Sequence, residues 1–252
     1  MIIRMNTKTL CDALTDIQMK GKYHNGDTAK NSQVSDYAML ELDSAASSLT
    51  LYNADNTTVC GITIETLSSG EQDVGLVTIE IEKTLKYLKT FDENVLIEIG
   101  DYVKVSDGSK NASLPLVVSH PSTAMIARLQ GYEIDESNPM FGSVEFETVI
   151  VTNSDNLTDA VKTCDVINNA RYLFDSDGEQ FTISSRKSDI DKVDVVVPTT
   201  SNEGESSTVE VTGQFHKFFP KNTEVKIFLK DESPIVWKAE NRVLIKAPYI
   251  AR

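Results

Sequence analysis

The sequence is poor in the residues that build most catalytic and metal centres. Three cysteines, Cys11, Cys60 and Cys164, are odd in number and form no CxxC, which leaves no zinc ribbon or redox dithiol and points to reduced thiols used for packing. The three histidines, His24, His120 and His216, share no ligand spacing. No GxSxG, Walker A or GxGxxG occurs. Asp175-Ser-Asp177-Gly178-Glu179 opens like a calcium loop but lacks the later ligands, and its counterpart Asp43-Ser-Ala-Ala-Ser has no second carboxylate, so a hairpin turn is expected. With no nucleophile or acid–base set in view, a hydrolase is disfavoured. No apolar run reaches the ~18 residues of a membrane helix, and MIIRMNTKTL lacks a signal-peptide core. The expectation is an intracellular protein without a membrane partner, with three Asn-X-Ser/Thr matches read as chance.

Positive charge is also scarce. Lys and Arg number 24 against 38 Asp and Glu, for a net charge of −14. A uniformly acidic surface would repel phosphates, so any nucleic-acid contact must depend on where the few cations lie.

What is present in quantity is repetition. Thr78–Asp101, TIEIEKTLKYLKTFDENVLIEIGD, returns 130 residues later as Thr208–Asp231, TVEVTGQFHKFFPKNTEVKIFLKD. Both ends alternate: Ile79, Ile81, Val95, Ile97 and Ile99 answer to Val209, Val211, Val225, Ile227 and Leu229. A period of two places these residues on one buried sheet face. Between them Leu85 and Leu88 answer to Phe215 and Phe218, at the i, i+3 spacing of a buried helix stripe. Asn6–Ile17 returns as Asn153–Cys164 at an offset of 147, and Met39–Leu51 as Arg171–Ile183 at 132. The fall in offset puts fifteen extra residues in the first copy. That insertion, around KGKYHNGDTAKNSQVSD, is polar and is expected to be a surface loop.

The chain of 252 residues thus reads as an α+β protein of two duplicated domains, 1–118 and 140–252, each built from two β-α-β-β-β units with four helices in all. Thr7 is the expected N-cap of the first helix, whose stripe is Leu10, Ala13, Leu14 and Ile17. Residues 119–139, with prolines at both ends and no stable period, form the connecting loop. Two helices carry cations opposite their apolar stripes: Lys83, Lys86 and Lys89 in Glu82–Phe91, and His216, Lys217 and Lys221 in the echo. The first helix of each domain is mixed, with Lys8, Lys20 and Lys162 among Asp12, Asp16, Asp159 and Asp165. A solvated face is the bland reading of such lysines.

This order of elements, with LTLYNADNTTVCGI, RYLFDSDGEQFTISS, DESPIVWKAE and the terminal KAPYIA, resembles the sliding DNA clamps of the proliferating cell nuclear antigen (PCNA) type over essentially the whole chain. The insertion and the mixed first helices suggest an archaeal or viral member. The resemblance implies a head-to-tail homotrimeric ring, with helices lining the hole and sheets outside, edge runs near Ser109–Val118 and Leu173–Ser184 pairing between chains. It implies a DNA polymerase processivity factor without enzymatic activity or cofactor. Its partners would be double-stranded DNA, met through Lys83, Lys86, Lys89, Lys162, Lys217 and Lys221, a clamp loader, the polymerase, and other replication or repair proteins carrying a short peptide motif. The implied peptide pocket comprises Met125, Ile126 and Leu129 of the loop, Pro234 and Val236 of a late strand, Ala247, Pro248 and Ile250 of the tail, and the turn at Ala54 and Asp55. The alternative is a monomeric β-rich binding module or a viral structural module with no DNA function.

Overall fold

The structure, a computed structural model, describes residues 2–25, 28–32, 34–55, 57–69, 77–116, 140–141, 144–168, 171–213 and 215–250. The connecting loop 119–139, with Met125, Ile126 and Leu129, lies outside the described residues. The chain divides into two compact units: Met1–Gln18 with Gln33–Ala127, and Met19–Ser32 with Arg128–Arg252.

In the first unit β1 (Ile2–Asn6) leads into α1 (Thr7–Gln18). The strands β4 (Tyr37–Asp43), β5 (Ser48–Ala54), β6 (Thr58–Glu65) and β7 (Ser68–Ser69) follow, then β8 (Val77–Glu80) and α2 (Ile81–Leu88). Three meander strands close the unit: β9 (Asn94–Ile99), β10 (Tyr102–Ser106) and β11 (Asn111–Pro115). They make an antiparallel sheet of order β11-β10-β9-β1-β7 and an antiparallel run of order β6-β5-β4-β8.

After a small β12 (Met140–Phe141) and β13 (Val144–Glu145) hairpin, the second unit repeats this plan. Its elements are β14 (Thr148–Asn153), α3 (Ser154–Asn168), β15 (Arg171–Ser176), β16 (Phe181–Arg186), β17 (Lys192–Val196), β18 (Thr199–Gly204), β19 (Ser207–Thr212), a 3₁₀ turn at His216–Phe218, β20 (Glu224–Leu229), β21 (Ile235–Ala239) and β22 (Arg242–Lys246). Strand for strand the orders match: β22-β21-β20-β14-β18 and β17-β16-β15-β19. The match extends to register. Ile3 lies opposite Ile97, and their counterparts Ile150 and Ile227 lie opposite each other. The duplication read from two separate offsets is therefore a duplication of pairing, because a one-residue slip would turn every apolar side chain to the wrong face.

Several expectations are corrected. The insertion is not a loop: β2 (Gly21–Asn25) and β3 (Thr28–Ser32) pair antiparallel, Gly21 opposite Ser32 and Asn25 opposite Thr28. Asn6, not Thr7, caps α1: its Oδ1 accepts the Thr9 N–H at 3.0 Å, while the Thr7 N–H donates to the Glu93 carbonyl. The polar run before β8 contains β7, which pairs back on β1, as β18 does on β14. The run Leu173–Ser184 is not an edge, since β15 and β16 are both flanked; β17 is the edge of that sheet and β11 the edge of its own. The fourth helix is only a 3₁₀ turn. Gly213, the counterpart of Lys83 inside α2, sits at φ +79°, outside the helical region, and Phe219, the residue before Pro220, is extended, so no α-helix forms between them.

The expected turn at Asp175–Glu179 is a hairpin turn between β15 and β16, with the Asp177 carboxylate accepting the Glu179 and Gln180 N–H groups at 2.9 and 2.6 Å. All three cysteines are free; Cys60 and Cys164 are buried, and burial together with Asp165 and Asp194 pushes the Cys164 thiol up to about 12.

Gly204 ends β18 at φ +115°, where a Cβ would stand 1.9 Å from the Glu147 carbonyl oxygen. Gly108, at φ +91°, has nothing near an added Cβ. Gly204→Ala should therefore cost more than Gly108→Ala, about 2–3 kcal/mol or more against about 1–2. Urea midpoints compared at unchanged slope would measure the difference.

Candidate functional site

The helical segments are placed by their apolar stripes. In α1 the buried residues are Thr7, Leu10, Ala13, Leu14, Ile17 and Gln18, leaving Lys8, Thr9, Asp12 and Thr15 exposed. In α2 Ile81, Thr84, Leu85 and Leu88 are buried, and the Thr84 hydroxyl donates back to the Glu80 carbonyl at 2.7 Å. The helix closes with the Thr90 and Phe91 N–H groups on the Tyr87 and Leu88 carbonyls, a tightened last turn. It is shorter than the expected Glu82–Phe91. Lys86 and Lys89 stand exposed opposite the stripe, with Lys83 half-buried beside Thr84. The Lys89 charge reaches the Cys11 thiol of α1, so the two helices of this unit share one face carrying both signs.

In the second unit Phe215 stacks on Trp237 at 5.1 Å and meets Tyr172 edge-on at 5.6 Å. Phe218 is covered by the Arg242 guanidinium, 5.4 Å from the ring centre, whose Nη1 donates to the Phe218 carbonyl. This packing turns His216 inward. Only 4% of it is exposed, so it is not presented to solvent as expected. Burial first, then the Lys217 and Lys162 charges, lower its pKa to about 4, and the ring is neutral near pH 7. Lys162 of α3 and Lys217 of the turn are both exposed, and the charge of each acts on the buried His216 ring. Lys221 is exposed beyond the turn. Asp165 opposes them: burial raises its pKa, against a hydrogen bond from the Tyr172 hydroxyl and the Lys217 charge. Asp159 sits 3.9 Å from Lys162 in an exposed pair of little energetic weight.

Of the residues expected to form a peptide pocket, Pro234 and Ala247 leave the β21–β22 ladder at the same end, just beyond the pair Ile235–Lys246. Pro248 is half-buried and Ile250 is 70% exposed. Val236 has a core role that its sequence did not reveal, fully buried with Phe146, Phe228 and Ile245. Its side chain is therefore no part of a surface pocket. Ala54, in the first unit, is buried at the end of β5, beside a turn in which the Asp55 carboxylate accepts the Thr57 and Thr58 N–H groups at 2.7 Å each. The tail carries one residue that sequence reading passed over. The Tyr249 N–H donates to the Glu210 carbonyl of β19 at 2.6 Å, and the Tyr249 ring lies under the Arg171 guanidinium at 4.1 Å.

Neither the scan of protein-family models nor the search of curated proteins returns a match. Solved structures do match along the whole chain. A. fulgidus PCNA, in a structure with the C-terminal region of FEN-1 bound, is 16% identical at a TM-score of 0.70, over 100% of this chain and 99% of that one. PCNA from Thermococcus kodakaraensis is 14% identical at 0.70, over 98% and 99%. The Helicobacter pylori beta clamp bound to a DNA ligase peptide is 17% identical at 0.66, over 100% of this chain and 67% of its own. The chain has the DNA sliding-clamp fold. It spans the full length of the PCNA chains and about two thirds of the bacterial beta clamp.

Within this fold Lys83, Lys86, Lys162 and Lys217 are carried by helical segments, and Pro234, Ala247, Pro248 and Ile250 by the end of the β21–β22 ladder and the tail. Among the described residues no cluster of His, Cys, Asp and Glu is arranged to hold a metal ion. No described helix is long and apolar enough to cross a membrane.

The buried His216 has a pH signature. Its folded pKa lies below the unfolded value near 6.5, so the unfolded chain binds the proton more readily. The stability it contributes is complete above pH 6.5 and is lost as pH falls towards 4. Urea denaturation between pH 7 and 4.5 should show a smaller loss in His216→Gln than in the wild type, and the wild-type imidazole should titrate near 4 by NMR.

Proposed function

We propose that this protein is a sliding clamp, a DNA polymerase processivity factor that encircles duplex DNA as a head-to-tail homotrimer of six domains. The observation that carries this reading is the fold likeness to PCNA over nearly every residue of both chains. A fold is not by itself a function, and further features support this one. Each unit offers an end strand, β11 or β17, for pairing with a neighbouring copy, and closure into a ring removes edges that would otherwise template aggregation. In this reading residues 1–118 and 140–252 are the clamp domains and 119–139 connects them.

The acidic chain would keep DNA from the outer wall while the helix lysines attract it within. Lys83, Lys86, Lys89, Lys162, Lys217 and Lys221 are the proposed contacts. Weak phosphate contacts without base readout suit an object that slides. The protein would act by tethering rather than by catalysis, and would be loaded by a clamp loader. Polymerase and other partners would bind by a short peptide, for which Met125, Ile126, Leu129, Pro234, Ala247, Pro248, Ile250 and the turn at Ala54 are the proposed contacts. Peptide-bound relatives, PCNA with FEN-1 and the beta clamp with ligase, support that mode.

Sedimentation equilibrium at micromolar concentration should give three times the 27.8 kDa chain mass, with rings in negative stain. A monomer in both would return the reading to an isolated binding module. Replacing Lys83, Lys86 and Lys217 by Glu should lower clamp-dependent DNA synthesis and weaken low-salt DNA binding while the fold persists; unchanged processivity would leave these lysines as a solvated face. Ile126→Ala with Pro248→Ala should weaken a labelled polymerase-tail peptide by ~1–3 kcal/mol, the scale of truncated anchor residues.

A further inference from the structure

The C-terminal tail is held by a clasp within the second unit. Arg171 of β15 and Glu210 of β19 project from the outward, alternate positions of adjacent strands, Arg171 lying diagonal to Glu210 across the ladder. The Glu210 carboxylate is held from two nitrogens: the Arg171 Nε donates to Oε1 at 2.7 Å, and Nη2 lies 2.6 Å from the same oxygen. The Glu210 side chain is 17% exposed and that of Arg171 35%, so the pair is partly desolvated and its geometry is stiff. The planar guanidinium fixed in this way then faces the Tyr249 ring at 4.1 Å. On the other side of the same residue, the Tyr249 N–H donates to the Glu210 main-chain carbonyl at 2.6 Å. Glu210 thus holds Tyr249 twice, directly through its backbone and indirectly through Arg171.

We infer that the Arg171–Glu210–Tyr249 clasp pre-organises the tail, making Arg171 a positioning residue for the partner peptide. This rests on the reading of the tail as one wall of a peptide pocket. Pinning Tyr249 fixes its neighbours on both sides, Pro248 half-buried and Ile250 exposed. A wall ordered beforehand spares the peptide the entropy of ordering it. Arg is the suitable residue, because only a planar fork can grip a carboxylate and stack on a ring at once; Lys would keep the charge and lose the stacking.

The test uses the full-length protein and two readouts. Amide hydrogen exchange at Tyr249 reports the clasp without any partner, and fluorescence anisotropy reports binding of a labelled peptide bearing one aliphatic and two aromatic residues. Arg171→Met should speed Tyr249 exchange and weaken the peptide by about two- to five-fold, the scale of an exposed cation–π contact, with native mass unchanged. Arg171→Lys should fall in between. Tyr249→Leu leaves the sheet untouched and keeps the main-chain bond, so it should weaken the peptide even if Arg171→Met folds poorly. Unchanged exchange in Arg171→Met would overturn the clasp. Faster exchange with unchanged peptide affinity in both variants would overturn the positioning role. A wild-type protein that does not bind the peptide would sink the pocket reading and the positioning role together, while the exchange readout would still decide separately whether the clasp holds the tail.

Discussion

The burial of one apolar stripe on each helical segment is the constraint on which the rest of the structure depends. Leu85 and Leu88 in α2, and Phe215 and Phe218 in the corresponding turn, can be covered only against their sheets. Once they are, the opposite side of each segment is fixed, and with it the exposure of Lys86, Lys89 and Lys217. The cations are not gathered by attraction to one another. They stand where they do because the residues between them are anchored in the core.

The two units satisfy this constraint by different means. The first uses two turns of α-helix with modest aliphatic side chains. The second has a single 3₁₀ turn and fills the volume with rings instead: Tyr172, Phe174 and Trp237, all fully buried, each pack against the buried Phe215 ring. Interiors tolerate neither voids nor overlap, so larger side chains stand in for the missing helical turn. One consequence is local. His216, drawn inward with its neighbours, is kept neutral under Lys162 and Lys217 rather than adding to their charge.

In the proposed clamp, the strongly acidic chain and the thinly basic helices have complementary roles. The carboxylates of α1 and α3, Asp12 and Asp159 among them, dilute the positive field near the lysines. Such a surface favours loose, salt-sensitive contact with phosphates over tight binding, as sliding requires. Specificity then moves to the partner peptide, whose tail-side wall is held by the pairing of Arg171, Glu210 and Tyr249.

The sequence by itself determined the duplication, the strands and their faces, because alternation and helical spacing are local periodicities that burial imposes directly on residue type. Ile3 opposite Ile97 and Ile150 opposite Ile227 follow from it, and the resemblance to PCNA-type clamps agrees with the fold that the solved structures share. What only the tertiary structure decided turns on partners distant in the chain. His216 was drawn inside with its neighbour Phe215, which packs on rings contributed from residues 172 and 237. Val236 alternates as a pocket residue could, yet Phe146, Phe228 and Ile245 enclose it. Tyr249 gains its role from Arg171 and Glu210, separated from each other by 39 positions. No local pattern marks such meetings, since they depend on which strands become neighbours and not on what any one strand contains.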